Sequence, residues 1–521
     1  MATASEKLAR SLSVLKRIQD SGKIALRADD MGRTHRERLL KNGFIQMVMK
    51  GWYISTRPDE APGESTSWRI SFWGFCADYL NFRFRRSWCL SPEQSLSLHT
   101  GNWTAPRQLV VRSPRGSNKP TGLLHGTSVL DLRLKLPAED EITEIGREGF
   151  RRLRIMTLPA ALIACAPSLF AVRPQELRLA LSMINDASDI LPGLLEDERS
   201  AVAGRLAGAF RNIGRGGVAD AIIDTMRSAG HAVYESDPFE EKTVSFGTRE
   251  ASPHINRTRM MWAGFRENVI EYFPKAPRAV VDTETYLRRI DDIYAADAYN
   301  SLSIEGYRVD VELIERVREG RWDPDGADKE NRDALAARGY WQAFQAAKLT
   351  ITDVLKGKNP GEAVSDDFGK WYRELFGPSV AAGIIDATEL AGYRRVPVYI
   401  RGSMHVPPAH ESVRELMPAF FDLLRNEKSP EARVVLGHFV FVYIHPFVDG
   451  NGRMARFLMN VMLAAGGYPW LVIPVEKRGR YMEALEHASV GRNIVPFTKF
   501  LAELIKKKPA LDIVKSSYFI E

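Results

Sequence analysis

His445-Pro446-Phe447-Val448-Asp449-Gly450-Asn451-Gly452-Arg453-Met454-Ala455-Arg456 is the stretch that decides the fold of the C-terminal half. The residues before it open with Ser429-Pro430, a Ser suited to an N-cap followed by a Pro suited to the first helical position. Val434, Val435, Leu436, Phe439, Val440, Val442 and Tyr443 then make the segment apolar on nearly every face. Such a helix belongs inside a bundle. Met454 to Ala465 reads as a second apolar helix that stops at Gly466-Gly467. The glycines between the two helices let backbone N–H groups converge into an anion nest, and the second helix adds its positive end. Arg453 and Arg456 are three residues apart and share a helical face. Asp449 is a hard oxygen ligand suited to Mg²⁺ bridging phosphates. His445 stands at the lip of the loop, where an imidazole can take a proton near neutral pH. A base, a metal carboxylate and phosphate donors in one short loop point to phosphoryl or nucleotidyl transfer. A capped turn between core helices would explain the glycines, but not the two arginines and the aspartate.

The segment resembles the signature of Fic-domain proteins: His-Pro-Phe, then acidic-Gly-Asn-Gly-Arg, then a second Arg. The resemblance extends over roughly residues 255–505. It implies an all-α bundle with a β-hairpin flap, and transfer of AMP from ATP to a hydroxyl side chain of a target protein. By the same resemblance His445 is the base, Asp449 the Mg²⁺ ligand and Phe447 the core anchor of the loop. Gly450, Asn451, Gly452, Arg453 and Arg456 bind the phosphates, with Asn451 and Gly452 at the α-phosphate and Arg456 at the γ-phosphate. Members that transfer phosphate instead carry Lys where this chain has Gly452. Val396 to Pro408 alternates in character around Ile400-Arg401-Gly402-Ser403, as a hairpin does. The resemblance makes it the flap that holds a target segment by strand addition. Tyr481 is a candidate neighbour of the adenine, with a core tyrosine as the equal alternative.

Upstream, Ser301-Leu302-Ser303-Ile304-Glu305-Gly306 places Ser301 and Glu305 four apart, on one helical face. The segment resembles the Fic inhibitory motif. That implies an intramolecular brake in which Glu305 pairs with Arg456 and keeps the γ-phosphate from docking. Removal of AMP by water that the same glutamate positions stays open.

The first 60 residues have a different character. Leu8 to Ile18 is spaced as a helix, and Arg33 to Lys41 is a second helix ending at Asn42-Gly43. Phe44 to Ile54 reads as two short strands around a turn. Helices followed by a ribbon describe a winged helix-turn-helix. This stretch holds 12 Lys/Arg against 7 Asp/Glu, so +5 of the chain's net +7 sits here. Arg33, Arg36, Arg38 and Lys41, with His35, make the second helix a candidate DNA reader. A small helical domain with a solvated basic face is the alternative. The mixed block that follows, with a strand at Gln108 to Arg112 and helices from Thr157, makes the first 235 residues similar to the AbiEi-type antitoxin family. That resemblance implies DNA binding and control of the chain's own promoter. The expected domains are a winged helix at 1–62, a mixed α/β domain at 63–235 and a Fic domain at 253–508, joined by a polar stretch near 235–252.

The 521 residues are 45% hydrophobic and 26% charged, which excludes full disorder. Cys76, Cys89 and Cys165 are too few for a disulfide framework or a zinc site, which fits a reducing compartment. The start MATASEKLAR is charged at once, so no signal peptide is expected. Pro and Gly interrupt both long uncharged runs, Ile155 to Val172 and Phe457 to Val475, so neither suits a membrane span. A cytoplasmic enzyme with ATP as co-substrate, a protein target and a DNA partner is the expectation. Oligomeric state is open, with a homodimer the form helix-turn-helix modules often take. The competing reading is a transcriptional regulator whose Fic part senses nucleotide without covalent transfer.

Overall fold

The computed structural model describes residues 3–60, 64–146, 152–196, 199–239, 252–277, 282–321 and 331–506. Residues 61–63, 240–251 and 507–508, where expected domain edges and most of the polar linker fall, lie outside the described residues. The fold is mainly helical and divides into two compact units. One comprises Met1–Arg257 with Tyr399–Val406, the other Thr258–Val398 with Pro407–Glu521.

The first unit begins with α1 (Ala4–Asp20), β1 (Leu26–Arg27), α2 (Arg33–Lys41), β2 (Ile45–Met49) and β3 (Trp52–Ser55). Thr3 and Glu6 form a capping box that starts α1. The three strands pair antiparallel in the order β1-β3-β2. Gly51 turns the ribbon at φ +82°, a conformation that favours glycine. Leu15, Leu26, Met31, Leu39, Ile45 and Tyr53 form one small core.

Next come α3 (Thr66–Phe84), β4 (Cys89–Leu90), α4 (Pro92–His99), β5 (Gln108–Ser113), β6 (Pro120–Gly122), β7 (Ser128–Arg133), β8 (Ile142–Ile145) and β9 (Leu153–Met156). The order β4-β5-β7-β6 makes a sheet in which only the central β5-β7 pair is parallel, and β8 pairs with β9. Trp68, Phe72 and Phe75 of α3 share a core with Leu109, Val111 and Val129 of this sheet. The unit continues through α5 (Leu158–Ala164), α6 (Leu169–Val172), α7 (Pro174–Ser182), α8 (Leu191–Leu195), α9 (Ser200–Asn212) and α10 (Gly216–Ser228) around Phe170, Leu206, Phe210 and Ile222. All three cysteines are buried and free, and burial pushes the Cys89 and Cys165 thiols up to about 11.

In the second unit the helices are α11 (Pro253–Tyr272), α12 (Thr283–Ile304), α13 (Val311–Arg318), α14 (Arg332–Leu355), α15 (Pro360–Ala381), α16 (His410–Asn426), α17 (Pro430–Ile444), α18 (Asn451–Ala465), α19 (Arg478–Ser489) and α20 (Val495–Lys506). Ser429 caps α17 by accepting the N–H of Ala432. Only Pro430, Arg433 and Val442 of α17 escape full burial, as its all-round apolar sequence requires. No helix of the described residues is long and apolar enough to cross a membrane. The expected hairpin at Val396–Pro408 is a difference. The chain turns at Arg401-Gly402, with Ser403 N donating to Ile400 O at 3.1 Å, but holds no strand. Pro397, Pro407 and Pro408 each lack the N–H that a ladder needs.

Helices α14 and α15 pack so closely that a Cβ on Gly339 would lie 2.0 Å from the carbonyl oxygen of Leu375. Gly339→Ala is expected to cost about 1–3 kcal/mol, as overpacking does. Urea unfolding checks this, with a lower midpoint at unchanged slope as the expected outcome.

Candidate active site

The turn between α17 and α18 is built from a few backbone choices. His445 caps α17 in the left-handed region, at φ 52° and ψ 62°, unusual for a residue with a Cβ. Gly450 caps α18 at φ 79°, where glycine costs little. Between them Phe447 drives inward and stacks on Tyr372, with ring centroids 3.8 Å apart. Asn451 closes the turn. Its Oδ1 accepts the N–H of Phe447 at 3.0 Å, and its Nδ2 donates to the Phe447 carbonyl at 2.9 Å. The Asn451 side chain is therefore committed to the loop itself, and what it can offer a phosphate is the backbone N–H in the first turn of α18.

His445 Nδ1 lies 3.3 Å from the carbonyl of Val442. That oxygen can only accept, so Nδ1 carries the proton and Nε2 is left with a free lone pair. Burial lowers the imidazole to about 4, against the hydrogen bond it donates to the Val442 carbonyl, which works to raise it. The ring is therefore neutral at ordinary pH, the state a proton acceptor needs.

Arg453 is 1% exposed, between the rings of Tyr307 and Phe376 at 5.1 and 5.0 Å, with Asp449 at 3.4 Å. Its Nε has no partner among the described residues. A buried guanidinium so lightly paired is ready for an anion. The Asp449 side chain is 62% exposed, and Oδ1 accepts the N–H of Gly450 at 2.6 Å. One exposed carboxylate beside a phosphate-binding turn suits Mg²⁺, which takes one or two carboxylates and keeps waters and phosphates as its other ligands. The described residues hold no group of three or more acidic, His or Cys side chains that would form a protein-only metal cage.

Arg456, one turn further along α18, is engaged by the end of α12. Its Nε donates to Ser301 Oγ at 2.8 Å, and its Nη2 donates to the Ser301 carbonyl at 3.0 Å and to Glu305 Oε1 at 2.7 Å. Burial is the largest single influence and opposes its charge, but Glu305, Tyr481 and Tyr340 together raise its pKa. Glu305 reaches this place because position 452 has no side chain: a Cβ there would stand 2.2 Å from Glu305 Oε1. The end of α12 is held from outside as well. Arg478 Nε donates to the Ile304 carbonyl at 2.8 Å, and Val475 N donates to Asn300 Oδ1 at 2.8 Å.

Tyr481 lies near Arg456, while the expected flap and DNA-contacting residues belong to the first unit. Tyr481 is buried, packs on Phe497 and Phe500, and meets His438 Nε2 at 2.7 Å. It sits as a core tyrosine, with its hydroxyl pushed up to about 12 by burial. Arg401 is exposed and donates to Glu64 at 2.7 Å, both within the first unit. On α2, Arg33 is 82% exposed and pairs with Glu37, and Lys41 is exposed. Arg38 instead turns onto α1, donating to the Lys7 carbonyl at 2.9 Å and Ser11 Oγ at 2.8 Å. Arg36 donates to the Ala28 carbonyl at 3.3 Å.

Three residues of consequence were not legible in the motif. His438 had a signal, as a lone imidazole in an otherwise apolar helix. Its Nδ1 meets the Ala455 carbonyl at 3.0 Å, and burial lowers it to about 3. Asp297 had none. It accepts from Tyr340 at 2.6 Å behind the α12 end, and burial raises it to about 6. Arg394 had none either, since Arg395 beside it has the same side chain but is exposed.

The Fic/DOC family profile matches residues 365–463, from α15 through most of α18. The chain is 32% identical to the protein adenylyltransferase Fic of Drosophila willistoni over 240 residues, 44% of this chain and 44% of the relative. To that of Drosophila melanogaster it is 30% identical over 283 residues, 52% of this chain and 53% of the relative. The chain thus spans about half the length of the curated relatives it matches. Among solved structures, a Fic-1 fragment from C. elegans aligns with a TM-score of 0.37 and 20% identity, covering 69% of this chain and 89% of that one. Residues 365–463, which carry His445 and the two arginines of α18 toward their C-terminal end, match the Fic/DOC family, and the chain is homologous to part of these adenylyltransferases.

Proposed function

We propose that the chain transfers AMP from ATP to a hydroxyl side chain of a target protein, and that Glu305 restrains the transfer. The observation that carries the reading is the left-handed turn at His445. It sets a neutral imidazole with a bare Nε2 at one end of a loop whose other end is the N-terminus of α18. In the reaction Nε2 takes the proton of the target hydroxyl, and the oxygen attacks the α-phosphorus. The new P–O bond forms as the bond to pyrophosphate breaks. Arg453, Arg456 and the α18 N-terminus hold the phosphates, and Asp449 would hold Mg²⁺, which neutralises phosphate charge when bound. A nucleotide sensor would have no use for a base kept neutral in this way.

With Glu305 on Arg456, the γ-phosphate meets a carboxylate where it needs a free guanidinium. A charged hydrogen bond of this kind contributes about 1.5–3 kcal/mol, or roughly 10- to 100-fold in rate when it must first be broken. Glu305→Gly is therefore expected to raise AMP labelling from radiolabelled ATP, of the chain itself or of lysate proteins, by about that factor. His445→Ala in the same background should abolish it. Equal labelling by the wild type and Glu305→Gly would remove the brake, and an adduct other than AMP in mass spectrometry would remove the transfer.

The pH dependence follows from His445. The neutral form is active, so activity is lost as pH falls through its lowered value of about 4. On Glu305→Gly, kcat/KM should stay level through the ordinary imidazole value of 6.5 and fall only below about pH 5. An inflection near 6.5 would count against a desolvated base.

For the first unit we propose a winged helix that binds DNA, of the AbiEi-like kind, serving autoregulation. The basic excess of residues 1–60 and the α2–ribbon order support it. The exposed Arg33 and Lys41 are the expected phosphate contacts, while Arg38 clasps α1 to α2. Replacing both Arg33 and Lys41 by Ala should lower promoter affinity and reduce the salt slope by about 2, measured by titration at several salt concentrations. An unchanged slope would place the DNA elsewhere.

A further inference from the structure

Arg394 is 4% exposed and lies outside the loop signature, just before the 396–408 segment. Its guanidinium donates to several backbone carbonyls. Nε donates to His445 O at 2.8 Å, and Nη2 donates to Pro408 O at 2.6 Å and to Ile444 O at 3.5 Å. Nη1 donates to Val396 O at 3.3 Å, and the Arg394 backbone N–H donates to Pro446 O at 2.9 Å. These oxygens form two groups. Ile444, His445 and Pro446 carry the carbonyls at the negative end of α17, where a helix leaves orphan acceptors and favours a cation. Val396 and Pro408 are the two stems of the turn-bearing segment.

The left-handed backbone of His445 costs on the order of 1–3 kcal/mol and persists only where surrounding contacts fix it. The planar guanidinium fork supplies those contacts, with donors in a fixed geometry that an ammonium lacks.

We propose that Arg394 is a positioning residue for AMP transfer: it fixes the turn at His445 and ties Val396 and Pro408, which flank the turn-bearing segment, to that same turn. The proposal rests on the transfer reading for its kinetic consequence, and on geometry alone for the coupling of the two segments.

The test compares Arg394→Lys and Arg394→Ala in the full-length Glu305→Gly chain. Misplacing a base by about 1 Å costs on the order of 100-fold. The Lys variant should therefore lose about 10- to 100-fold in kcat, with KM for ATP within about twofold. The Ala variant should lose more and regain part of the loss with added guanidinium ion. Hydrogen exchange, followed by mass spectrometry without nucleotide, should show residues 441–449 and 396–408 becoming faster together in the Lys variant, with the rest of the chain unchanged. A kcat within about twofold of the parent, or faster exchange in only one of the two segments, would overturn the proposal. Faster exchange throughout the chain would also overturn it, since that marks a fold residue. If the Glu305→Gly parent transfers no AMP, the transfer reading falls, and the exchange arm still decides whether Arg394 couples the segments.

Discussion

The two hydrogen bonds between the Asn451 side chain and the backbone of Phe447 are the constraint on which the turn between α17 and α18 depends. A buried helix must end, the chain must reverse, and a second buried helix must begin, all within six residues. Buried backbone groups in such a turn need partners, because water does not reach them. Asn451 satisfies both groups of Phe447 at once, which leaves the N–H groups of the first α18 turn for something else. Phe447 in turn is locked by its stack on Tyr372. The anion-binding character of the loop is thus a by-product of how the turn is closed.

The two arginines of α18, alike in sequence, have unlike surroundings. Arg453 is sandwiched by rings and has a donor to spare, while Arg456 is engaged on several sides by Ser301 and Glu305. The Glu305 contact is therefore made with one of the two cations, and the proposed brake would act through Arg456. Helix α12 is secured at the far side by Arg478 and Asn300, and deeper by the Asp297–Tyr340 bond. The residue that carries the Glu305 carboxylate is thus positioned by the packing of the α12 end.

Much of this was legible in the chain itself, for physical reasons. The Ser-Pro start of α17, its all-apolar face and the Gly-Asn-Gly loop are local signals, each set by the conformational limits of a few residue types. The pairing of Glu305 with Arg456 was legible through a family resemblance, and the structure places the two within hydrogen-bond reach; the bonds of Arg456 to Ser301 were not. What could not be read is long-range. Arg38 has the composition of a DNA contact, but its partners Lys7 and Ser11 lie on another helix. The same holds for Tyr481, whose partner His438 is 43 positions away. The alternating residues of 396–408 suggested strands, but alternation says nothing about donors, and the prolines removed them.

The bare Cα of Gly452 carries a consequence for how this domain can change. Position 452 faces the nucleotide on the family's account, and it also borders the space that the Glu305 carboxylate occupies. Any side chain placed there, including the Lys of phosphate-transferring members, takes the room in which Glu305 now rests. A side chain at position 452 and the present seat of the Glu305 carboxylate therefore compete for one space, so a change of residue there displaces the carboxylate from Arg456 unless its flexible side chain finds another seat.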